Sequence, residues 1–171
     1  MLINNIEELI GNTPLLKIDH KVHGLKNIDL YAKLEYMNPF GSVKDRISKG
    51  MLSPFWNEIE TKSKKILESS SGNTAKAIAT LANMHGTSLK IITNRINVPE
   101  QRKILQLLNV DIQELPGISE CPEPNDPDNP FRLAQQYIAR NPSSYHYTNQ
   151  YASELNLQSH MQAGLEIKKD L

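Results

Sequence analysis

Two short stretches of this sequence hold residue types that can do chemistry. The first is Ser70-Ser71-Gly72-Asn73-Thr74, a run of small polar residues between an apolar stretch and an alanine-rich one. If it joins a strand end to a helix start, several backbone N–H groups there have no partner, and such a place binds anions. The hydroxyls of Ser70, Ser71 and Thr74 and the Asn73 amide add donors. A carboxylate or a phosphate would fit, and neither charge nor spacing decides between them. Asn73 would serve equally well as an ordinary helix cap, since Ser, Asn and Gly are common cap residues. The second stretch is Lys44-Asp45-Arg46, with Lys44 expected one turn into a helix that follows a strand and a loop. A lysine there could contact a phosphate, act as a Schiff-base nucleophile if desolvated, or be a solvated charge beside Asp45 and Arg46. On its own the string reads as an exposed helix start, because lysine is rarely buried.

The elements that would position these residues are legible as alternating strands and helices. Residues 30–35 alternate in polarity and lead into the loop Asn38-Pro39-Phe40-Gly41, after which Ser42 and Asp45 form a variant capping box. Val43, Ile47 and Met51 then recur every four residues, as one face of a helix does. Residues 65–69 form a strand running into the Ser-Ser-Gly-Asn loop, and TAKAIATLANMHG is a helix ending at Gly86. A strand at 89–94, a helix opened by Pro99, and a strand at 110–115 before Pro116-Gly117 continue the pattern. Residues 122–130, PEPNDPDNP, are a surface loop; 131–140 is helical; 145–149 is a strand; and Leu157, Met161 and Leu165 mark a final helix. The alternation is that of βαβ units, so the expected fold is α/β with a parallel twisted sheet and flanking helices.

Bulk composition narrows the function. Of 171 residues 39% are hydrophobic, enough for one core, and 19 basic residues balance 19 acidic ones. Nothing in that charge draws the chain to nucleic acid or to an anionic membrane, which favours small-molecule partners. No apolar run is long enough to span a bilayer, and Glu7 and Glu8 interrupt the start where a signal peptide would be positive and then apolar. A single cysteine, Cys121, forms no internal disulfide and suits a reducing cytoplasm. It has no His nearby in sequence to activate it as a nucleophile. His20, His23, His85, His146 and His160 show no metal-ligand spacing, so no metal is expected.

The ordered set of segments resembles the cysteine synthase and cystathionine β-synthase family, the fold-type-II pyridoxal-phosphate (PLP) enzymes. The residues concerned are IGNTPLLKI at 10–18, similar to that family's opening strand; AKLEYMNPFGSVKDR at 32–46, similar to its cofactor-lysine segment; SSSGNTAKAIA at 69–79, similar to its substrate loop; and TNQY at 148–151. The resemblance runs from about Ile10 to the end of the chain and implies the N-terminal part of the tryptophan-synthase-β-like fold, with the C-terminal half missing. It implies that Lys44 joins PLP through a Schiff base and later carries the α-proton, and that Asn73 bonds the cofactor's ring hydroxyl. Ser70, Ser71, Gly72 and Thr74 would hold the carboxylate of an amino-acid substrate at the helix start, with Gln150 on its other side. Residues 1–43 would pack on the missing domain, 44–150 would be the smaller α/β domain, and 151–171 would begin the truncated one.

The reaction implied is β-elimination and replacement on an activated serine, such as O-acetylserine or O-phosphoserine, with a sulfide or amine nucleophile, and a homodimer as the family's usual assembly. Diaminopropionate or cystathionine synthesis uses the same chemistry. Where the family has Thr, Gly and Gly, this chain has Ser70, Ala75 and Phe40. Ser70 keeps the hydroxyl, Ala75 favours the helix, and Phe40 is expected to narrow the approach to the cofactor or to pack on the neighbouring sheet. The eight glycines are scattered, so the family's later phosphate loop would fall beyond Leu171. That leaves a second reading, a catalytically incomplete half-enzyme acting as an interaction module. A third, a plain nucleotide-binding domain, is opposed by the lack of a GxGxxG or P-loop string.

Overall fold

The computed structural model describes residues 2–116 and 126–171. Gly117, Cys121 and residues 122–125 of the proline-rich segment lie outside them. The chain opens with a 3-10 turn at Ile6–Leu9 and an antiparallel hairpin of β1 (Leu15–Ile18) and β2 (Leu30–Lys33), joined through the one-turn α1 (His20–His23). The IGNTPLLKI segment is therefore a strand only from Leu15 onward. Gly11 and Asn12 turn the chain through positive φ values of 92° and 47°.

After α2 (Lys44–Leu52) and α3 (Trp56–Thr61) come β3 (Lys65–Glu68), α4 (Asn73–Met84), β4 (Leu89–Thr93), α5 (Pro99–Leu107) and β5 (Asp111–Glu114). The chain continues with α6 (Pro130–Arg140), β6 (Tyr145–Tyr147) and α7 (Glu154–Asp170). The last four strands make one parallel sheet in the order β5-β4-β3-β6. Every strand expected from the sequence between residues 30 and 149 is present, each one or two residues shorter. At the first of them Leu34 leaves extended geometry with ψ at 67° and starts a 3-10 turn over Glu35–Met37.

The sheet is covered on both faces, which is why β4 is buried at all five positions. Ile66, Leu89 and Ile91 face a core with Ile47, Met51, Ile78 and Leu81 from α2 and α4. Leu67 and Ile92, one residue out of phase, face Ala134 of α6. The small side chains of α4 at Ala75, Ala79 and Ala82 are all buried. Phe40 packs against the first core and borders an apolar groove with Thr80, Ile104 and Leu107. It thus borders α4 and α5 beside the core that the sheet shares.

Helix α7 lies on α2, and the contact is close at Gly50, where a Cβ would come within 1.9 Å of Ser159 Oγ. Its apolar repeat turns the other way, so Leu157, Met161 and Leu165 are all exposed. Leu155, partly buried, packs against the core. No helix among the described residues is long and apolar enough to cross a membrane.

Two polar clusters tie distant segments together. In the first, Arg46 donates from Nε to Glu35 (2.7 Å) and from both terminal nitrogens to Glu166 (2.7 Å each). Lys33 is 2.9 Å from the same Glu166, and the Asn12 N–H bonds it as well. In the second, His85 stacks on Trp56 at 3.8 Å and bridges Glu60 and Glu7, each at 2.8 Å. Burial pushes the imidazole down, but the bonds to Glu60 and Glu7 outweigh it and hold its pKa above the ordinary 6.5. A raised folded-state pKa means stability fully present below the unfolded value and lost as pH rises through the folded one. We therefore expect the gap in denaturation midpoint between the parent and His85→Gln to be widest near about pH 5.5 and to close towards about pH 9. A constant gap over that range would show that the bridge contributes through packing alone.

Candidate active site

The Ser-Ser-Gly-Asn loop leaves the carboxyl end of β3 and enters α4, the central strand-to-helix connection of the sheet. Helix α4 has Gly72 at its N-cap position and no side-chain cap, so Asn73 does not act as one; it is the first helical residue and is exposed. The backbone N–H groups of Asn73, Thr74 and Ala75 find no acceptor among the described residues; the next, Lys76, bonds the Gly72 carbonyl. A Cβ at Gly72 would meet nothing within 4 Å, so the approach to these donors is open. With the positive end of the helix dipole behind them, they are placed to accept an anion.

Beneath that helix start lies a buried hydrogen-bonded chain. Thr74 Oγ1 donates to Gln150 Oε1 (2.8 Å), and Gln150 Nε2 faces Glu68 Oε1 (3.4 Å). Glu68 is fully buried. Its carboxyl group also accepts from the N–H groups of Ser69 (2.7 Å) and Gln150 (3.2 Å) and lies 2.5 Å from Thr148 Oγ1. Burial pushes the Glu68 carboxyl above its ordinary range, partly offset by the bonds from Thr148, Ser69 and Gln150. The Thr74 hydroxyl proton is spent on Gln150, so the free donors here are its backbone N–H and the second amide hydrogen of Gln150.

Glu68 is the residue that sequence reasoning missed. A signal was available: strand period two puts Glu68 on the same face as Ile66, where a charge needs buried partners.

Lys44 is the first residue of α2 rather than one turn inside it, and its N–H bonds Ser42 Oγ (3.1 Å). The neighbouring charges are not surface charges. Asp45 is fully buried, accepting from the Phe40 N–H (2.6 Å) and from Ser42 Oγ (3.2 Å), and Arg46 is buried in its cluster with Glu35 and Glu166. Lys44 itself is half-buried, and its ammonium has no hydrogen-bond or ion-pair partner among the described residues.

Beside the loop a cleft of about 420 Å³ is lined by residues 69–72 and 93–98, with Gln101, Pro130, Phe131 and Tyr151. The structure thus brings Ser70, Ser71 and Gly72 to one wall of that cleft and joins Thr74 to Gln150 below it. Lys44 and Asn73 line neither. Among the described residues no group of three or more His, Cys, Asp or Glu side chains is placed to hold a metal ion.

Solved structures share this fold. A cysteine synthase from Entamoeba histolytica superposes with a TM-score of 0.84 at 26% identity, over 99% of this chain and 50% of that one. A hydrogen sulfide-producing enzyme from Fusobacterium nucleatum gives 0.79 at 28% identity, over 99% and 53%. An O-acetylserine dependent cystathionine β-synthase from Helicobacter pylori gives 0.78 at 27% identity, over 100% and 55%. The chain therefore spans about half the length of these solved chains, and its α/β architecture is that of the N-terminal part of fold-type-II PLP enzymes. Residues 6–171 match one family along nearly the whole sequence, and the chain belongs to it: the pyridoxal-phosphate dependent enzymes.

Proposed function

We propose that this chain carries the cofactor lysine and the amino-acid carboxylate site of an enzyme that replaces the β-substituent of an activated serine, in amino-acid biosynthesis. The observation that carries this reading is the uncapped start of α4, three N–H donors wide, stacked over the Glu68–Gln150–Thr74 chain. Neighbours named for cysteine synthesis and for O-acetylserine dependent cystathionine synthesis support the substrate class. The single cysteine, Cys121, suits a reducing cytoplasm.

The residues present fit the reactive end of PLP. Lys44 offers an amine with no carboxylate partner, and the exposed Asn73 amide is free to bond a ring hydroxyl. When bound, PLP supplies an electron sink that makes the substrate's α-proton removable. The N–H groups of Asn73, Thr74 and Ala75, with Ser70, Ser71 and the Gln150 amide, hold the substrate carboxylate. Holding it fixes the direction of the Cα–H bond, and that orientation is where the binding energy acts on the rate. The Lys44 amine takes the α-proton and holds it at Nζ. Glu68 acts one step back, by fixing which end of the Gln150 amide faces the substrate.

The test is to mix the purified protein with PLP, reduce with borohydride and map the modified lysine by mass spectrometry. Label on Lys44 is the expected result. A folded protein labelled elsewhere, or not at all, overturns the assignment and leaves the chain as an interaction module.

The role of Glu68 gives a further expectation. Glu68→Gln keeps the shape but replaces an acceptor oxygen with an N–H group, leaving Gln150 free to turn. The KM for the amino-acid substrate should rise about tenfold, with kcat changed less, because a ground-state grip has been loosened. An equal fall in kcat and kcat/KM, at unchanged KM, would place Glu68 in the chemical step instead.

A further inference from the structure

We infer that the cleft beside the α4 loop is a second anion site, which takes an acidic group carried by a reactant beyond the α-carboxylate. The inference rests on the reading above, in which the α4 start already holds that carboxylate.

Four features of the cleft converge on this. Among the described residues that line it, Arg95 alone carries a charge at neutral pH. Its side chain is exposed and makes no ion pair among the described residues. Arg95 acts on Glu114 only at a distance: that carboxylate is bonded by Arg102 at 2.6 Å and by the Ile96 N–H at 2.8 Å, so the Arg95 guanidinium has no hydrogen-bonded partner among the described residues.

The wall opposite the α4 loop ends in a second helix start. Helix α5 begins after Val98 with no side-chain cap, and the N–H groups of Glu100 and Gln101 have no acceptor among the described residues. Helix α6, whose first residue also lines the cleft, is different: Asn129 accepts from the N–H groups of Phe131 and Arg132. Two uncapped helix starts and one unpaired guanidinium thus border the same 420 Å³ space.

An independent observation comes from Ser69. Its side chain is 95% buried by a relative exposure of 5%, its Oγ has no hydrogen-bond partner, and the residue lines this cleft. A hydroxyl buried without a partner calls for an acceptor, and an oxyanion bound against this wall is the acceptor that the proposal assigns to it.

Ser70, Ser71 and Gly72 belong both to the loop and to the cleft wall, so a molecule gripped at the loop extends into the cleft. A neutral acetyl group has no use for Arg95. A phosphate on the β-carbon does, and so does the carboxylate of an acidic nucleophile. The shared chemistry is an oxyanion at Arg95, and the two sources separate by experiment.

The purified protein and Arg95→Met are titrated calorimetrically with O-phospho-L-serine, O-acetyl-L-serine and inorganic phosphate, and kinetically with L-aspartate against L-asparagine as incoming amine. Arg95 is exposed, so the variant keeps its fold, which circular dichroism checks. O-phosphoserine should bind at least about tenfold more weakly to the variant, as for loss of a charge-assisted bidentate contact, with O-acetylserine unchanged. A tenfold loss confined to L-aspartate assigns the site to the nucleophile. Equal loss for charged and neutral compounds, or no loss for any, overturns the proposal. Inorganic phosphate separates the two readings. Arg95-dependent phosphate binding without binding of either serine derivative sinks the amino-acid site and keeps the anion site. Binding of both derivatives without Arg95 dependence does the converse.

Discussion

Replacing Lys44 with alanine is expected to lower β-replacement turnover by at least about a thousandfold, the scale of losing a positioned proton-transfer group, while leaving the fold intact. The structural cost is small because the ammonium holds no ion pair or hydrogen bond, and alanine is the best helix former at the opening of α2. Lys44→Arg sharpens the test. It keeps the positive charge and much of the bulk, but a guanidinium is never free base near neutral pH and cannot take a proton. Both variants should lose the borohydride-fixed cofactor and the turnover while unfolding at the parent temperature. If either keeps activity within tenfold of the parent, the proton is carried by another group. Buried Glu68 would then be the first candidate, since it shares its surroundings with Gln150.

The same residues show how far the sequence could be read. The strands were visible because β4 is a run of Leu, Ile and Ile bounded by polar turns, and α4 because its alanines recur before Gly86. The anion loop was visible for a local reason: it needs only small residues at a strand-to-helix junction. What stayed hidden depends on partners far along the chain. Glu68 meets Gln150 across 82 residues, and Arg46 meets Glu166 across 120. No local pattern marks Lys44-Asp45-Arg46 as half-buried, buried and buried, so its reading as an exposed helix start failed through tertiary contacts alone. The helix expected from Leu157, Met161 and Leu165 is present as α7. Its four-residue repeat gave the right element, yet Leu157, Met161 and Leu165 face outward, and the helix meets α2 beside Gly50 and through Glu166. Periodicity fixes where a helix is, not which of its faces meets the rest of this chain.

Arg46→Met should destabilise the protein by about 3–5 kcal/mol, the usual cost of removing one member of a buried charge cluster and stranding the others. Methionine roughly preserves the volume, so little of the loss comes from a cavity. It comes from Glu35 and Glu166, which keep their burial and lose the guanidinium that bonded both. Lys33 still reaches Glu166 at 2.9 Å, and Thr13 and Asn38 still bond Glu35, so the loss should stay within that range. The pH dependence identifies the cause. The bonds from Arg46 hold the Glu166 carboxyl at about 2, below its ordinary 4.5. A depressed folded-state pKa gives stability that is present above the unfolded value and lost as pH falls through the folded one. Without Arg46 that carboxyl titrates higher and accepts a proton sooner, so the deficit of Arg46→Met should be full at pH 7 and shrink from about pH 4.5 down to about pH 2. Urea denaturation of both proteins across that range is the measurement. Adding Glu166→Gln to Arg46→Met should return part of the lost stability at pH 7 by removing a stranded charge. If the double variant is no better than the single one and the deficit is flat with pH, the cluster stabilises the α2–α7 junction by shape, and the charges are incidental to it.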